Sequence, residues 1–395
     1  MQDLLFLVHR IPYPPNKGDK IRSFHFLNHL STRYKVHLAT FIDDENDWQY
    51  TAKVDALCIS SCYQVLKPLH AKLGSVTGLL TGDALSVPYY RNQVLQAWVD
   101  NTLKTQAIKK VLVFSSVMGQ FIKPEHGVDM VVDFVDIDSD KWRQYAEKKR
   151  GIAKWIYQRE AKYLFDFEQA LAAKAKVSAF VSAQEAELFK KFAPSVSDKI
   201  THINNGVDVV YFSPEQDFVS PYPVHAEQVL VFTGAMDYWA NVDAVVWFVE
   251  QVFSLLIKTH PQLRFYIVGA KPSKAVQDLA NSQVIVTGSV PDVRPYIAYA
   301  HVVVAPLRIA RGIQNKVLEA MAMAKYVLAT SAAMEGISVD SALSVAISDD
   351  AATMIEQLKV LLGADGVIAA PTNRAFVKAQ FSWENNLNAL LALLA

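Results

Sequence analysis

Residues Val286–Ala324, VTGSVPDVRPYIAYAHVVVAPLRIARGIQNKVLEAMAMA, decide the fold class, because the segment reads as strand, loop and helix with charged residues at the turns. Val302–Pro306 is short, apolar and β-branched, the pattern of a strand buried on both faces of a parallel sheet. Arg308, Arg311 and Gly312 follow in a loop. In Asn315–Ala324, Val317, Ala320, Met321 and Ala324 then fall at helical spacing and form a stripe for burial. Glu319 stands three and four residues beyond Lys316 and Asn315, so the three polar side chains share a face near the helix N-terminus. That place, at the carboxyl end of the preceding strand, is where open α/β sheets bind ligands. A ribose diphosphate suits the chemistry: Glu319 would accept from two ribose hydroxyls while Lys316, the arginines and the helix N-terminus neutralise the phosphates. An ordinary salt-bridged helix start on a solvated face fits the same pattern.

Strands alternate with helices on both sides of this segment. Leu4–Val8 is an apolar strand that ends at His9-Arg10 and opens into the Pro-rich loop IPYPPNKGDKIRS, with Gly18 ahead of a helix over about 21–32. Strands follow at Lys35–Phe41, Val111–Phe114, Met130–Phe134 and Ala179–Val181, the mark of βαβ units. The alternation restarts at Val229–Thr233, with a helix over Val242–Ile257 and strands at Leu263–Val268 and Val284–Val286. The chain of 395 residues, 51% of them hydrophobic, is long enough for two domains with separate cores. A formal net charge of zero argues against a general nucleic-acid binder. Cys58 and Cys62 lack a second pair and a nearby His cluster, so reduced thiols are expected in place of a zinc site. No window has the length of a membrane span and the N-terminus opens on a strand, which predicts a cytoplasmic protein without a signal peptide.

Gly234 and Gly269 each end a strand and permit close backbone approach to a ligand or helix. Neither a G-x-G-x-x-G after the first strand nor a P-loop is present, which counts against a dinucleotide dehydrogenase and an NTPase. Asp133, Asp136, Asp138 and Asp140 cluster at the end of a predicted strand. Helix capping, anchoring of an acceptor and metal binding all fit such a cluster; for the second, Asp136 or Asp138 is best placed, with His9 a weaker candidate. The stretch 141–171, expected to form a helix, is the most basic of the chain. Its cations, Lys141, Arg143, Lys148, Lys149, Arg150, Lys154, Arg159 and Lys162, alternate with Trp142, Tyr145, Ile152, Trp155, Ile156, Tyr163 and Phe167. That composition suits peripheral contact with an anionic membrane, and equally a solvated face over a core stripe. Leu66–Leu80, with Lys67, His70 and Lys72 beside Leu69, Leu73, Leu79 and Leu80, is a second such stretch.

Gly312–Ala322 resembles the donor-site signature of retaining family 4 glycosyltransferases, with Glu319 on that family's second glutamate; the first glutamate of the usual Glu-x7-Glu pair falls on Arg311. VDFVDIDSDKW (132–142), VFSSVMGQF (113–121), FTGAMDYWANVDAV (232–245) and the run Arg311–Glu319 resemble the sugar transferases of exopolysaccharide clusters and the PEP-CTERM exosortase system, a likeness covering nearly the whole chain. The resemblance implies a GT-B fold: two Rossmann-like α/β domains with parallel sheets around a central cleft. ITHINNGVDVVYFSP (200–214) resembles the interdomain connection, so an acceptor domain is expected over 1–205, with a C-terminal helix of about 376–395 packing back on it, and a donor domain over 215–375. It further implies a metal-independent hexosyltransferase without cofactor that moves a sugar from a UDP- or GDP-linked donor to a glycan or polyprenyl-diphosphate-linked acceptor with retention. Gly18, Gly234, Gly269, Arg308, Gly312, Asn315, Lys316 and Glu319 are the expected donor-binding residues, and Lys316, Arg311, Asp136 and Asp138 the expected catalytic ones. The family's pyrophosphate-gripping Arg and Lys fall where this chain reads Met236–Asn241, without a cation, so Arg308, Arg311 and Lys316 are the nearest supply. A GT-B nucleotide-sugar epimerase and a catalytically silent subunit of a polysaccharide assembly complex are the alternatives.

Overall fold

The computed structural model describes residues 1–15, 18–66, 75, 78, 82–147, 149–223, 228–310, 312–338, 341–363 and 368–395. The chain divides into two compact units, Met1–Asn205 together with Asn386–Ala395, and Gly206–Asn385.

In the first unit seven strands form one parallel sheet: β1 (Gln2–Val8), β2 (Tyr34–Ile42), β3 (Ser60–Val65), β4 (Lys110–Phe114), β5 (Asp129–Val135), β6 (Val177–Phe180) and β7 (Ile200–His202). Their order is β3-β2-β1-β4-β5-β6-β7. β1 and β4 lie centrally, which is why Leu4–Val8 and Val111–Phe114 are apolar without alternation and wholly buried. The order reverses between β1 and β4, the kind of switch point at whose carboxyl edge doubly wound sheets bind ligands. β5 ends in Val135, a β-branched residue at φ 67°, and Ser115 after β4 has φ 74°. Such left-handed conformations cost of order 1–3 kcal/mol and persist only where the surroundings impose them. Here the Asp133 carboxylate accepts from the Val135 amide at 3.0 Å.

The second unit holds β8 (Gln228–Thr233), β9 (Leu263–Val268), β10 (Val284–Gly288), β11 (Val302–Ala305), β12 (Val327–Ala329) and β13 (Val345–Ile347). This sheet is also parallel, in the order β10-β9-β8-β11-β12-β13, and its reversal falls between β8 and β11. Val317, Leu318, Ala320 and Met321 of helix Asn315–Ala322 bury themselves in its core. The return of the chain is fixed at its last residues: the Val207 amide donates to the Phe381 carbonyl at 2.7 Å within this unit, and Lys110 donates to the Leu394 carbonyl at 2.5 Å within the first.

One sequence expectation is corrected and one is shifted in its bounds. The basic stretch 141–171 is not one helix but two, Asp138–Glu147 and Gly151–Lys174, because Gly151 takes φ 60° and breaks the ladder. The helix expected over 242–257 starts three residues earlier and runs without a break from Trp239 to Leu256, with a π-helical segment at Val249–Phe253 inside it. In the second basic stretch, Lys67, His70, Lys72, Leu69, Leu73, Leu79 and Leu80 lie outside the described residues.

Candidate functional site

At the switch point of the second sheet, β8 and β9 end in glycines whose backbones touch. Gly234 and Gly269 have φ 157° and 159°, and a Cβ on Gly269 would lie 1.6 Å from the Gly234 carbonyl oxygen, so no other residue fits there. A Cβ on Gly234 would lie 2.8 Å from Asn241 Nδ2 and 3.2 Å from Lys316 Nζ. The Lys316 ammonium therefore stands at the mouth of the two glycine turns. It donates to Asn241 Oδ1 at 2.5 Å and sits 4.5 Å from the Phe232 ring centre. Asn241 is itself oriented, since its Nδ2 donates to the Ala235 carbonyl at 2.8 Å. Glu319, one helical turn after Lys316, is half-buried like it.

This environment moves both groups toward neutrality. Burial lowers the Lys316 pKa to about 8, against the pull of Glu319. Burial likewise raises the Glu319 carboxyl to about 7, against the pull of Lys316. A half-buried ammonium and carboxylate with such shifted pKa values at a strand end mark a candidate binding site. Two polar atoms point the same way. Thr233 Oγ1 at the end of β8 and Asn315 Oδ1 at the start of the helix are buried without a hydrogen-bond partner among the described residues.

The other predicted donor residues divide. Arg308 does not join Lys316: its guanidinium is exposed and paired with Asp243, Nε to Oδ2 at 3.0 Å. Gly312, at φ 68°, donates its amide to Glu335 at 3.1 Å. Arg311 lies outside the described residues. Sequence reading missed Tyr211. Its ring carries the Arg294 guanidinium 3.7 Å from its centre, and Arg294 is fixed by Asp292 through Nη2–Oδ2 at 2.7 Å. Burial, then Asp292, and further down Glu319 push the Tyr211 phenol pKa up, which puts this half-exposed ring within electrostatic reach of Glu319.

In the first unit, the edge where β1, β4 and β5 end is rich in ion pairs. Arg10 bridges Asp19 and Asp43, each at 2.8 Å, and His9 Nε2 lies 3.3 Å from Asp19. Although burial opposes it, the bonds from His9 and Arg10 hold the Asp19 carboxyl below the usual carboxylate range. Gly18 opens helix Gly18–Ser31, exposed and with free space where a Cβ would stand. Of the acidic cluster, Asp133 is fully buried and gripped by Arg22, Nη2–Oδ2 at 2.6 Å, while Arg22 Nη1 donates to Asn205 at 3.1 Å. Asp136 and Asp138 share Lys141, at 2.8 and 3.0 Å, and Asp140 pairs with Arg143 at 2.7 Å. Their loop is pinned from beneath: the Ser139 amide donates to buried Glu168 at 3.2 Å and the Ile137 amide to Glu185 at 3.2 Å. Burial, helped by Asp138, pushes the Glu168 carboxyl up to about 8. Among the described residues no three His, Cys, Asp or Glu side chains converge as metal ligands.

Comparison with known proteins agrees with this geometry. Residues 227–364 match the family described as Glycosyl transferases group 1. That match spans the Gly234, Gly269, Lys316 and Glu319 positions. Sucrose-phosphate synthase from Thermosynechococcus elongatus is similar over 100% of this chain and 98% of its own, at 16% identity and a TM-score of 0.67. HepE from Anabaena, solved with UDP and with UDP-glucose, is similar over 100% of this chain and 99% of its own, at 15% identity and a TM-score of 0.64. WaaG, a glycosyltransferase of lipopolysaccharide biosynthesis, is similar over 99% of each chain at 17% identity and a TM-score of 0.60. These likenesses show a GT-B fold. No curated protein matches the chain in sequence.

Proposed function

We propose that this protein is a retaining glycosyltransferase that moves a sugar from a nucleotide-diphosphate sugar to a glycan or lipid-linked acceptor in exopolysaccharide biosynthesis, at the cytoplasmic side of the membrane. The observation that carries the reading is the Lys316 ammonium beside Gly234, with Glu319 a turn along the same helix. The two glycine turns leave room for a diphosphate, Lys316 supplies the fixed positive charge, and Glu319 accepts from the ribose. Tyr211, backed by Arg294, offers a flat surface for the base. The group 1 match of residues 227–364 and the UDP bound by HepE support the same class of donor.

Chemically, departure of the diphosphate is the step this site is built to assist. Negative charge gathers on the leaving oxygen, and a preorganised ammonium in a partly dry setting stabilises it without reorganisation, a contribution of roughly 3–4 kcal/mol for one such donor. Arg311 is assigned to the same phosphates. Asp136 and Asp138, both bonded to Lys141, are assigned to anchoring an acceptor hydroxyl. A calorimetric panel of UDP and GDP sugars, followed by NMR of the anomeric proton in the product, tests the proposal. Elongated acceptor with the donor's anomeric configuration is expected; a free epimer would identify an epimerase, and binding without product a silent subunit.

A further inference from the structure

The structure points to a second binding surface, remote in sequence from the nucleotide residues. We propose that the hairpin of helices Asp138–Glu147 and Gly151–Lys174 docks on a bilayer of anionic phospholipid and seats a phospholipid in the groove beside it. The argument begins with the helix faces. Glu160, Leu164, Glu168, Leu171 and Ala172 mark the buried side of the longer helix. Glu160 and Glu168 are no liability there, because they accept from the Ser86 amide at 2.9 Å and the Ser139 amide at 3.2 Å. Ile152, Trp155, Gln158, Lys162 and Phe165, spaced by three, three, four and three, run along the opposite side. That side should be polar, yet Ile152 is 79% exposed and Trp155 58%. Tyr145 of the shorter helix is also exposed.

Charge identifies the occupant. Several of the hairpin's cations are already used: Lys141 and Arg143 in ion pairs, and Arg159 by the Asp83 and Gly78 carbonyls. Lys149, Arg150 and Lys154 are exposed, make no ion pair among the described residues, and flank the Ile152–Trp155 tip in sequence. Lys162 lies against the Tyr163 ring, likewise without an acidic partner among the described residues. Cations flanking an exposed Ile and Trp match the interface of an anionic bilayer, where aromatic and aliphatic groups enter the headgroup boundary and each Lys or Arg adds attraction. Below the tip a groove of about 610 Å³ opens, with Phe165, Phe192 and Ala161 as its apolar wall and Ser139, Gln158, Lys162 and the Arg143–Asp140 ion pair at its polar rim. From Trp155 to Lys162 the helix rises about 10 Å, so tip and groove lie less than the length of one phospholipid apart along the same helix.

Co-sedimentation of the full chain with vesicles of phosphatidylcholine and phosphatidylglycerol tests the surface, with pure phosphatidylcholine as control. Salt-sensitive binding to the mixed vesicles is expected. The variant Lys149→Gln, Arg150→Gln, Lys154→Gln, Lys162→Gln should bind them roughly a hundredfold more weakly. Ile152→Ser with Trp155→Ser should also lose binding, and both variants should keep the unaltered affinity for UDP and the unaltered melting temperature of the parent. A soluble short-chain phosphatidylglycerol should raise the melting temperature of the parent but not of Ala161→Trp, which fills the groove. Failure of the parent to bind mixed vesicles at low salt overturns the proposal, as does undiminished binding by both variants. Vesicle binding without stabilisation by the short-chain lipid would reject the groove as a lipid site. Should the parent sediment as an oligomer that the Ile152/Trp155 variant dissolves, the surface joins copies of this chain instead.

Discussion

Replacing Lys316 by Met should make the empty protein more stable and the nucleotide complex weaker, and the two opposed changes together test the donor site. A cation whose pKa has dropped from 10.5 to about 8 is held against its preference. At about 1.4 kcal/mol for each tenfold change in proton affinity, its protonated form costs the fold at most about 3 kcal/mol. Partial exposure reduces that figure, and the lost bond to Asn241 Oδ1 subtracts about 1 kcal/mol, so a net gain of roughly 1–2 kcal/mol is expected from the substitution. Glu319 leaves no stranded charge, because without Lys316 burial pushes its carboxyl still further up and it becomes neutral.

The sign of the pH dependence follows. Lys316 has a folded pKa below its unfolded value, so the parent's stability from this group rises as pH climbs from about 8 to 10.5. The variant's advantage should therefore be largest below about 8 and fade above it. Scanning calorimetry can follow the transition that UDP shifts, which belongs to the nucleotide-binding unit; a rise of roughly 3–6 °C in the empty variant is expected for a unit of this size. UDP affinity should fall about tenfold to a hundredfold, the worth of one charge-assisted hydrogen bond. A variant that melts lower when empty while binding UDP as well as the parent would refute the reasoning.

Glu319→Ala should weaken UDP by roughly tenfold to a hundredfold in calorimetry while leaving ribose-free pyrophosphate binding in place; equal losses for both ligands would move Glu319 off the ribose. Activity should survive EDTA, whereas loss on chelation restored by magnesium would hand the diphosphate to a metal. Gly269→Ala drives a Cβ into the Gly234 carbonyl and should leave little soluble protein, while Gly18→Ala, with open space around it, should express and melt like the parent. Asp133→Asn strands the buried Arg22 charge and should cost about 3–5 kcal/mol in urea unfolding, with Arg22→Leu combined with Asp133→Leu recovering much of the loss.

What the sequence disclosed, and what it hid, divides by range. β1, β8 and β11 were legible because a strand buried on both faces must be apolar at every position, and helix Asn315–Ala322 because its stripe keeps helical spacing. β12 and β13, three residues each, are too short for any period to appear, and β3 carries Ser60, Ser61 and Gln64 at the sheet edge. Lys316 and Glu319 could be chosen from one helical turn. Their partners could not: Asn241 is 75 residues from Lys316, Arg22 is 111 from Asp133, and Tyr211 is 83 from Arg294. Nor could the pairing of Arg308, near the site in sequence, with Asp243 be read from the sequence. The basic stripe of 141–162 was uniform as text, and only the contacts separate its structural cations from its exposed ones.

The cation-free segment Met236–Asn241 follows from the same geometry. A Lys or Arg there would bring a second positive charge beside Lys316, whose pKa burial has already lowered. Asn241 instead turns its amide oxygen to Lys316 while its Nδ2 is occupied by the Ala235 carbonyl, so a neutral group fixes where the ammonium points. The charge thus sits on helix Asn315–Ala322 and its orientation is set by Asn241 in the first turn of helix Trp239–Phe248, each supplied by a different βα unit across the switch point. This division holds the ammonium beside Gly234, and preorganisation of that kind is what the proposed departure of a diphosphate asks of a single lysine.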